Sequence, residues 1–269
     1  MDVTLTAEAG HYYRYIVKLP RENLPQLPSS SLSREALRTG WADENKLGPK
    51  LILYGESCGG LVLERLPGEA LNPQTAPKWL PQIAGLLRRF HSTKAAAFME
   101  RYDPIKSVRG YLDIIKANKT MPQADMRLID GVLVNTGNKV KGHPWVPCHN
   151  DLHCQNIMLN NIPQGEDGNQ VVAIDFEDCD LADPMWDLAY FTVNLGRENC
   201  PRTLMELYGV SKEEERRYRA YLPLAVAHCA AWAGMRGGDW LKHCGEMMVR
   251  LRTLLGKNSR TEGHRRGGN

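Results

Sequence analysis

A group of oxygen-bearing side chains stands out near the middle of the chain. Asp151 lies in the stretch HNDLHCQN, which ends at Asn156, and Asp175 follows nineteen positions later in the triplet IDF. Phosphoryl transfer needs a carboxylate at the attacking hydroxyl and oxygen ligands for Mg²⁺, because the protein mainly positions groups and neutralises charge. Asp151 suits the first role. Asn156 and Asp175 suit the second, since magnesium prefers oxygen ligands.

The elements around these residues explain how they could meet. The segments NIMLN and VVAIDF read as short apolar strands joined by a turn rich in Gly, Pro and Asn. Such a strand pair brings Asp151, Asn156 and Asp175 to one edge. A surface loop in which Asp and Asn only cap turns would explain any one of these residues. Such a loop does not explain why all three residues occur together at these spacings.

The same residues carry a resemblance to a known family. HNDLHCQN followed by IDF has the kinase-type pattern H-x-D-L-x-x-x-N and D-F, with His153 where protein kinases carry a lysine. The stretch IDFEDCDLADPMWDLAYF resembles the choline kinase and LicA-like pattern I-D-[FW]-E followed by D-P-x-[WY]-D-[LI]. On these motifs the chain is identified as a member of the aminoglycoside phosphotransferase and choline kinase superfamily, and the resemblance covers most of it.

The resemblance implies an α+β, two-lobed protein-kinase-like fold that uses ATP and Mg²⁺ to phosphorylate a hydroxyl of a small molecule. In such kinases a strand lysine holds the nucleotide phosphates and pairs with a helix glutamate. Lys18 and Glu35 match these positions, and Glu44 is a rival on the same predicted helix. Glu64 and Leu66 match the hinge whose backbone meets adenine.

One departure from the family concerns the loop over the phosphates. The family has a Gly-containing loop between its first two strands, but here only Gly10 precedes the strand of Lys18. Either the N-terminal lobe is shortened, or residues 7–10 form a rudimentary loop whose backbone amides do part of that work. A catalytically weak, kinase-fold binding protein is therefore an alternative of a different class.

Beyond Asp175 the chain becomes strongly acidic, which favours a cationic acceptor. The acidic residues are Glu177, Asp178, Asp180, Asp183 and Asp187. Only eight residues separate Asp175 from Pro184, where Asp183 reads as the N-cap of the next helix. A peptide-binding kinase needs a longer segment, so the acceptor is predicted to be small. We predict that Glu177 and Asp187 contact it, although Asp183 and Asp187 would equally serve as a helix cap and a loop brace.

Aromatic side chains on the C-terminal helices could form a cage for a quaternary ammonium group. Trp232 is the predicted substrate contact, with Trp240 and Tyr221 as further candidates. Core packing is the competing explanation for aromatic residues at helical spacing. Choline or ethanolamine is the favoured acceptor, and an aminoglycoside or thiamine is the alternative within the superfamily.

The remaining pattern predicts two lobes and a tail. Residues 1–68 form a small β-rich N-terminal lobe that ends in the hinge, residues 69–255 form a larger, mostly helical catalytic and acceptor-binding lobe, and residues 256–269 form a disordered tail. Helices are predicted near 107–119, 122–136, 184–195, 212–235 and 239–255.

Composition narrows the class of protein further. The 269 residues are 42% hydrophobic and carry a formal charge of only +3, which predicts a globular protein without nucleic acid as a partner. Seven cysteines without CxxC pairs indicate a reducing, cytoplasmic compartment and no disulfide scaffold or zinc site. No apolar run is long enough for a membrane span. The pattern contains no signal for oligomeric state.

Overall fold

The computed structural model describes residues 2–6, 12–19, 32–55, 60–159, 171–196 and 200–266. Its fold is α+β, with a small lobe built on a four-stranded sheet and a larger lobe that is mostly helical. The predicted fold class is therefore confirmed. Within these ranges, no helix is both apolar enough and long enough to cross a bilayer.

The small lobe consists of an antiparallel sheet and one helix. Its strands are β1 (Asp2–Thr6), β2 (Tyr12–Lys18), β3 (Leu51–Gly55) and β4 (Gly60–Glu64), in the spatial order β1-β2-β4-β3. Helix α1 (Leu32–Glu44) connects β2 to β3. The strand containing Lys18 and the helix after it were predicted from the sequence.

Strand β1 was not predicted. Its apolar Val3 and Leu5 alternate with threonines, the period-two signal of a short strand, but five residues are too few to stand out. It pairs with β2 from Asp2↔Ile16 to Thr6↔Tyr12. The N-terminal lobe thus has a strand before the strand of Lys18, which argues against the alternative of a shortened lobe. The rudimentary loop predicted at residues 7–10 lies outside the described residues.

The larger lobe is built from seven described helices. They are α2 (Leu80–Ser92), α3 (Pro104–Asn118), α4 (Gln123–Lys139), α5 (Pro184–Leu195), α6 (Cys200–Tyr208), α7 (Lys212–Arg236) and α8 (Trp240–Arg266). Helix α7 starts with a capping box between Ser211 and Glu214, and its second half is buried on nearly all sides. It packs against α3, α4, α5 and α8 and forms the centre of this lobe.

The C-terminal end of the chain differs from the prediction. The backbone of α8 is helical through Arg266, whereas the sequence predicted a helix that ends at residue 255 and disorder from residue 256. Gly256 and the polar residues after it weaken a helix, but a helix already nucleated by a packed segment can continue through such residues.

Two short strand pairs frame the predicted catalytic residues. Strand β5 (Val146–Cys148) pairs with β8 (Asp180–Ala182), and β6 (Ile157–Leu159) pairs with β7 (Val171–Ala173). Residues 149–156, here called the catalytic loop, connect β5 to β6. Residues 175–180, here called the acidic turn, lead from β7 into β8. Because the strands pair, the catalytic loop and the acidic turn lie side by side.

Gly48 allows a close approach between the lobes. A Cβ at this position would lie 2.5 Å from Phe176 Cε2 and 2.6 Å from its Cζ. Gly48→Ala is therefore expected to lower the free energy of unfolding by about 1–3 kcal/mol, because buried Phe176 must move to accept the methyl group. Urea unfolding measures this loss. Gly85→Ala in α2, where a Cβ meets nothing within 4 Å, is the matched control and should be neutral or stabilising. Equal effects of the two substitutions would contradict the prediction.

Candidate active site

The catalytic loop is held in place by a buried carboxylate on α5. Asp187 is fully buried and accepts hydrogen bonds from the backbone amides of His149 at 2.9 Å and Asn150 at 2.8 Å. Its Oδ2 also lies 3.1 Å from His91 Nε2. A carboxylate with these bonds and no exposed surface has no room for an acceptor. The prediction that Asp187 contacts the substrate is therefore wrong, and the alternative of a loop brace is the one that the structure shows.

His91, Cys148 and Asp187 form a buried group with the potential to bind a metal. His91 uses both ring nitrogens, one toward Asp187 and the other at 2.8 Å from the Tyr208 hydroxyl. Burial raises the pKa of the Cys148 thiol well above its ordinary value, with Asp187 adding to the effect, so the thiolate that zinc requires is disfavoured. These residues form a supporting network beneath the catalytic loop.

Asp151 and Asn156 lie at the two ends of the turn in the catalytic loop. Asn156 donates from Nδ2 to the Asp151 carbonyl at 2.9 Å and to its Oδ2 at 3.2 Å, which leaves the amide oxygen of Asn156 as the atom able to bind a cation. Burial raises the pKa of Asp151 well above its ordinary value, and the charge of Asp178 adds to this, whereas a hydrogen bond from Tyr190 opposes it. Asp151 is therefore a stronger base than a solvated aspartate.

Lys18, Glu35 and Asp175 meet where the two lobes face each other. Lys18 Nζ lies 2.5 Å from Glu35 Oε1 and 2.8 Å from Asp175 Oδ1. Burial by itself lowers the pKa of Lys18, but the charges and hydrogen bonds of Asp175 and Glu35 outweigh it and raise the pKa. Glu44, the rival candidate, is exposed at the end of α1. The structure thus brings Lys18 together with Glu35.

The acidic turn begins with carboxylates close enough to share a cation. One oxygen each of Glu35, Asp175 and Glu177 lies within 4.8 Å of the others. Burial raises the pKa of Glu177 to about 7, and Asp175 and Asp178 add to this. Burial likewise raises the pKa of Asp178 to about 6, although Arg38 opposes the shift. Crowded carboxylates with raised pKa values are what a divalent cation would stabilise, and oxygen donors are the ligands that Mg²⁺ prefers.

Glu177 was predicted to contact the acceptor, and the structure places it beside Glu35 and Asp175. The two hinge candidates lie where β4 leaves the sheet. Glu64 is exposed and its amide donates to the Lys50 carbonyl at 2.9 Å, while Leu66 is buried. Their contact with adenine remains a prediction.

The aromatic residues beside Asp151 are tyrosines. The Tyr190 hydroxyl is hydrogen-bonded to the Asp151 carboxylate. The rings of Tyr190 and Tyr111 lie edge-on to the ring of His228, with centroids 5.4 and 5.3 Å away, and the Tyr102 hydroxyl is 3.4 Å from His228 Nε2. None of these tyrosines was predicted from the sequence to lie beside Asp151. The position of Tyr190, one helical turn after Asp187, was a usable signal.

Trp232 lies in a different arrangement from the one predicted. Its ring centroid is 4.8 Å from that of Trp240, and the guanidinium of Arg236 lies 5.0 Å from the Trp232 ring. The cation over these rings therefore belongs to the chain itself. Tyr221 packs against the buried Trp186, at 5.9 Å between centroids.

His228 gives the fold a measurable pH dependence. Burial lowers its pKa to about 4, against about 6.5 in an unfolded chain. Between these two pH values the unfolded state therefore binds more protons than the folded state. The free energy of unfolding does not depend on this group above pH 6.5 and falls by on the order of 3 kcal/mol as the pH drops toward 4. We expect His228→Gln to have a flatter pH dependence over this window, measured by urea unfolding at a series of pH values. Parallel curves for the two proteins would contradict this.

Comparisons with known proteins agree with the geometry. The two-lobed fold, with a lysine and glutamate pair facing a catalytic loop and a following aspartate, defines a kinase-like phosphotransferase. Residues 3–221 match the profile described as the phosphotransferase enzyme family, APH. The chain belongs to this family, whose members transfer a phosphoryl group to hydroxyl acceptors.

Solved structures share the fold at low sequence identity. A choline/ethanolamine kinase family protein from Mesorhizobium loti is 18% identical, with a TM-score of 0.73 over 95% of this chain and 88% of that one. Choline kinase LicA from Streptococcus pneumoniae is 18% identical, with a TM-score of 0.74 over 95% and 89%. An aminoglycoside-3'-phosphotransferase of type VIII is 20% identical, with a TM-score of 0.55 over 83% and 88%.

A curated relative shows a local match only. A protein of Salmonella typhi described as a "Putative 2-aminoethylphosphonate-binding periplasmic protein" is 37% identical over 97 residues. The match covers 31% of this chain and 28% of that relative.

Proposed function

We propose that this chain uses Mg²⁺ and ATP to phosphorylate a hydroxyl group of a small cationic molecule of the choline or ethanolamine type. The observation that carries the proposal is the surroundings of Asp151, whose carboxylate is hydrogen-bonded to Tyr190 and lies close enough to Asp178, Asp175 and Glu177 for their charges to raise its pKa. Negative charge next to aromatic rings suits a cationic acceptor with an ammonium group.

In this mechanism the oxygen of the acceptor hydroxyl attacks the γ-phosphorus of ATP, and ADP leaves. Asp151 accepts the proton of that hydroxyl. The raised pKa of Asp151 makes it a better proton acceptor, provided that nearby positive charge keeps it ionised. The hydroxyl of Tyr190 orients its carboxylate. Lys18 binds nucleotide phosphate oxygens while Glu35 holds its ammonium group in position.

Asn156, Asp175 and Glu177 are the residues that would hold Mg²⁺. When bound, the ion neutralises charge on the phosphates. The solved structures support nucleotide use, since LicA has been seen with AMP and an aminoglycoside phosphotransferase from Streptomyces rimosus with ADP and streptomycin. The described cysteines are free thiols, which agrees with the reducing, ATP-rich cytoplasm as the proposed location.

The short acidic turn supports a small acceptor. Asp183 caps α5 by accepting from the Met185 amide, so only eight residues separate Asp175 from the start of the helix at Pro184, as predicted. The acidic side chains would also attract an aminoglycoside or thiamine, which remain the alternative acceptors of this proposal.

The test is Mg²⁺-dependent ADP release from ATP with choline, ethanolamine, thiamine and aminoglycosides as acceptors. Turnover with choline or ethanolamine, lost without Mg²⁺, is the expected result. Turnover only with an aminoglycoside or thiamine would overturn the proposed acceptor but not the reaction. ATP binding without turnover on any acceptor would favour a binding protein. Binding of 2-aminoethylphosphonate, which has no alcohol group, is measured separately.

A further inference from the structure

Helix α1 belongs to both lobes at once. Its Ala36 packs with Leu61 and Leu63 of the small sheet, whereas Trp41 and Ala42 are part of the main core of the larger lobe. The Trp41 ring lies 5.6 Å from that of Phe90, and its indole nitrogen donates to the Lys94 carbonyl at 3.1 Å. The C-terminal half of α1 is therefore fixed to the larger lobe.

The N-terminal half of α1 is attached to the acidic turn by a buried arginine. Arg38 is only 2% exposed, and its guanidinium donates from Nη1 to the Glu177 carbonyl and from Nη2 to the Asp180 carboxylate. Arg34, one turn earlier, lies 3.5 Å from the same carboxylate. The other carboxylate oxygen of Asp180 accepts from the Glu100 amide at 2.8 Å. Asp180 thus ties α1 to the larger lobe through charge-assisted hydrogen bonds.

The acidic turn is also held from the catalytic loop. Asn150 donates from Nδ2 to the Asp178 carbonyl at 2.8 Å and to the Asp180 carbonyl at 3.3 Å. Asn150 immediately precedes Asp151 and has a φ of 66°, a left-handed conformation that Asn tolerates. The acidic turn is therefore fixed on both sides, by Arg38 and by Asn150.

We propose that Arg38 is a positioning residue, which holds Glu35 of α1 against Lys18 by anchoring the helix to Asp180 and the Glu177 carbonyl. A closed ring of contacts runs from Lys18 to Glu35, along α1 to Arg38, across to Asp180, and back along the acidic turn to Asp175. The proposal rests on the proposed function in that it takes Lys18 and Glu35 as the nucleotide-binding pair.

Helix geometry and charge both support this role. Glu35 and Arg38 are three residues apart and so lie on one face of α1, which means that a shift at one moves the other. The planar guanidinium of an arginine reaches two acceptors at once, whereas the ammonium of a lysine at this position cannot make both hydrogen bonds in this geometry. Arg38→Lys therefore keeps the buried charge but loses the anchor.

The first experiment follows hydrogen exchange of the α1 backbone amides without nucleotide. Arg38→Lys is expected to speed exchange in the N-terminal half of α1 by about tenfold, because that half opens locally. Arg217→Lys is the matched control, since Arg217 forms another buried pair at 2.9 Å with Asp183, far from α1 in sequence. It should lower overall stability without this local effect. Unchanged exchange in Arg38→Lys, or equal exchange in both variants, would overturn the proposal.

The second experiment measures the affinity for Mg²⁺-ADP. Arg38→Lys should weaken binding by about tenfold in the wild-type background but by less than about twofold in a Glu35→Gln background, since coupled residues are not additive. Equal losses in both backgrounds would show a merely structural role and overturn the proposal. Asp180→Asn, which breaks the anchor from the other side, should reproduce both results. If the wild-type protein does not bind nucleotide, the proposed function fails, while the exchange experiment still decides the role of Arg38.

Discussion

Asp151→Asn is expected to lower kcat by about 10²- to 10⁴-fold, the range that a positioned general base contributes. The affinity for nucleotide should change little, because in the proposed mechanism Asp151 acts on the acceptor and Lys18 binds the phosphates. Steady-state and binding measurements on the same preparation separate the two quantities. Asp130→Asn, on the exposed surface of α4, is the control and should keep full activity.

The same substitution should increase stability. Burial and Asp178 raise the pKa of Asp151, so ionising this group at neutral pH favours the unfolded state, where its pKa is lower. Removing the carboxyl group removes that cost, and in cation-free buffer at pH 7 the urea midpoint of Asp151→Asn should rise. A variant that loses both activity and stability would indicate a structural role for Asp151 and would contradict the assignment of the catalytic base.

Asp175→Asn is expected to lower kcat/KM by about 10²- to 10³-fold and to raise the Mg²⁺ concentration needed for half-maximal rate. The change removes one of the crowded carboxylates and one partner of Lys18. Asn is the suitable replacement because Asp175 has a φ of 66°, where Asn fits with little strain and Ala does not. An activity loss with an unchanged Mg²⁺ requirement would argue against Asp175 as a metal ligand.

The catalytic loop and Asp175 could be predicted from the sequence because their residue types recur at short, fixed spacings. The start of α5 was equally local, since Asp183 and Pro184 are adjacent cap residues. The choice of Glu35 over Glu44 needed the structure, because both lie on α1 and only its docking shows which one faces Lys18.

Interactions between distant positions left no local signal. Arg38 and Asp180 are 142 positions apart, and in the sequence they look like any two surface charges. Asp187 could be recognised as important but not as buried, so the sequence left a substrate contact and a loop brace as alternatives, and its burial decides for the brace. Trp232 fits helical core spacing and a ligand cage equally well, and Arg236 over its ring distinguishes the two only in three dimensions.

The sharing of α1 between the lobes has a consequence for how the protein unfolds. Trp41, Ala42 and Leu47 belong to the same hydrophobic cluster as the helices of the larger lobe, so among the side chains that the structure describes the small lobe has a separate core of only a few residues. Two units that share a core lose their structure together. A calorimetric scan should therefore contain a single heat-absorption peak, and the small lobe should not persist once the larger one has melted.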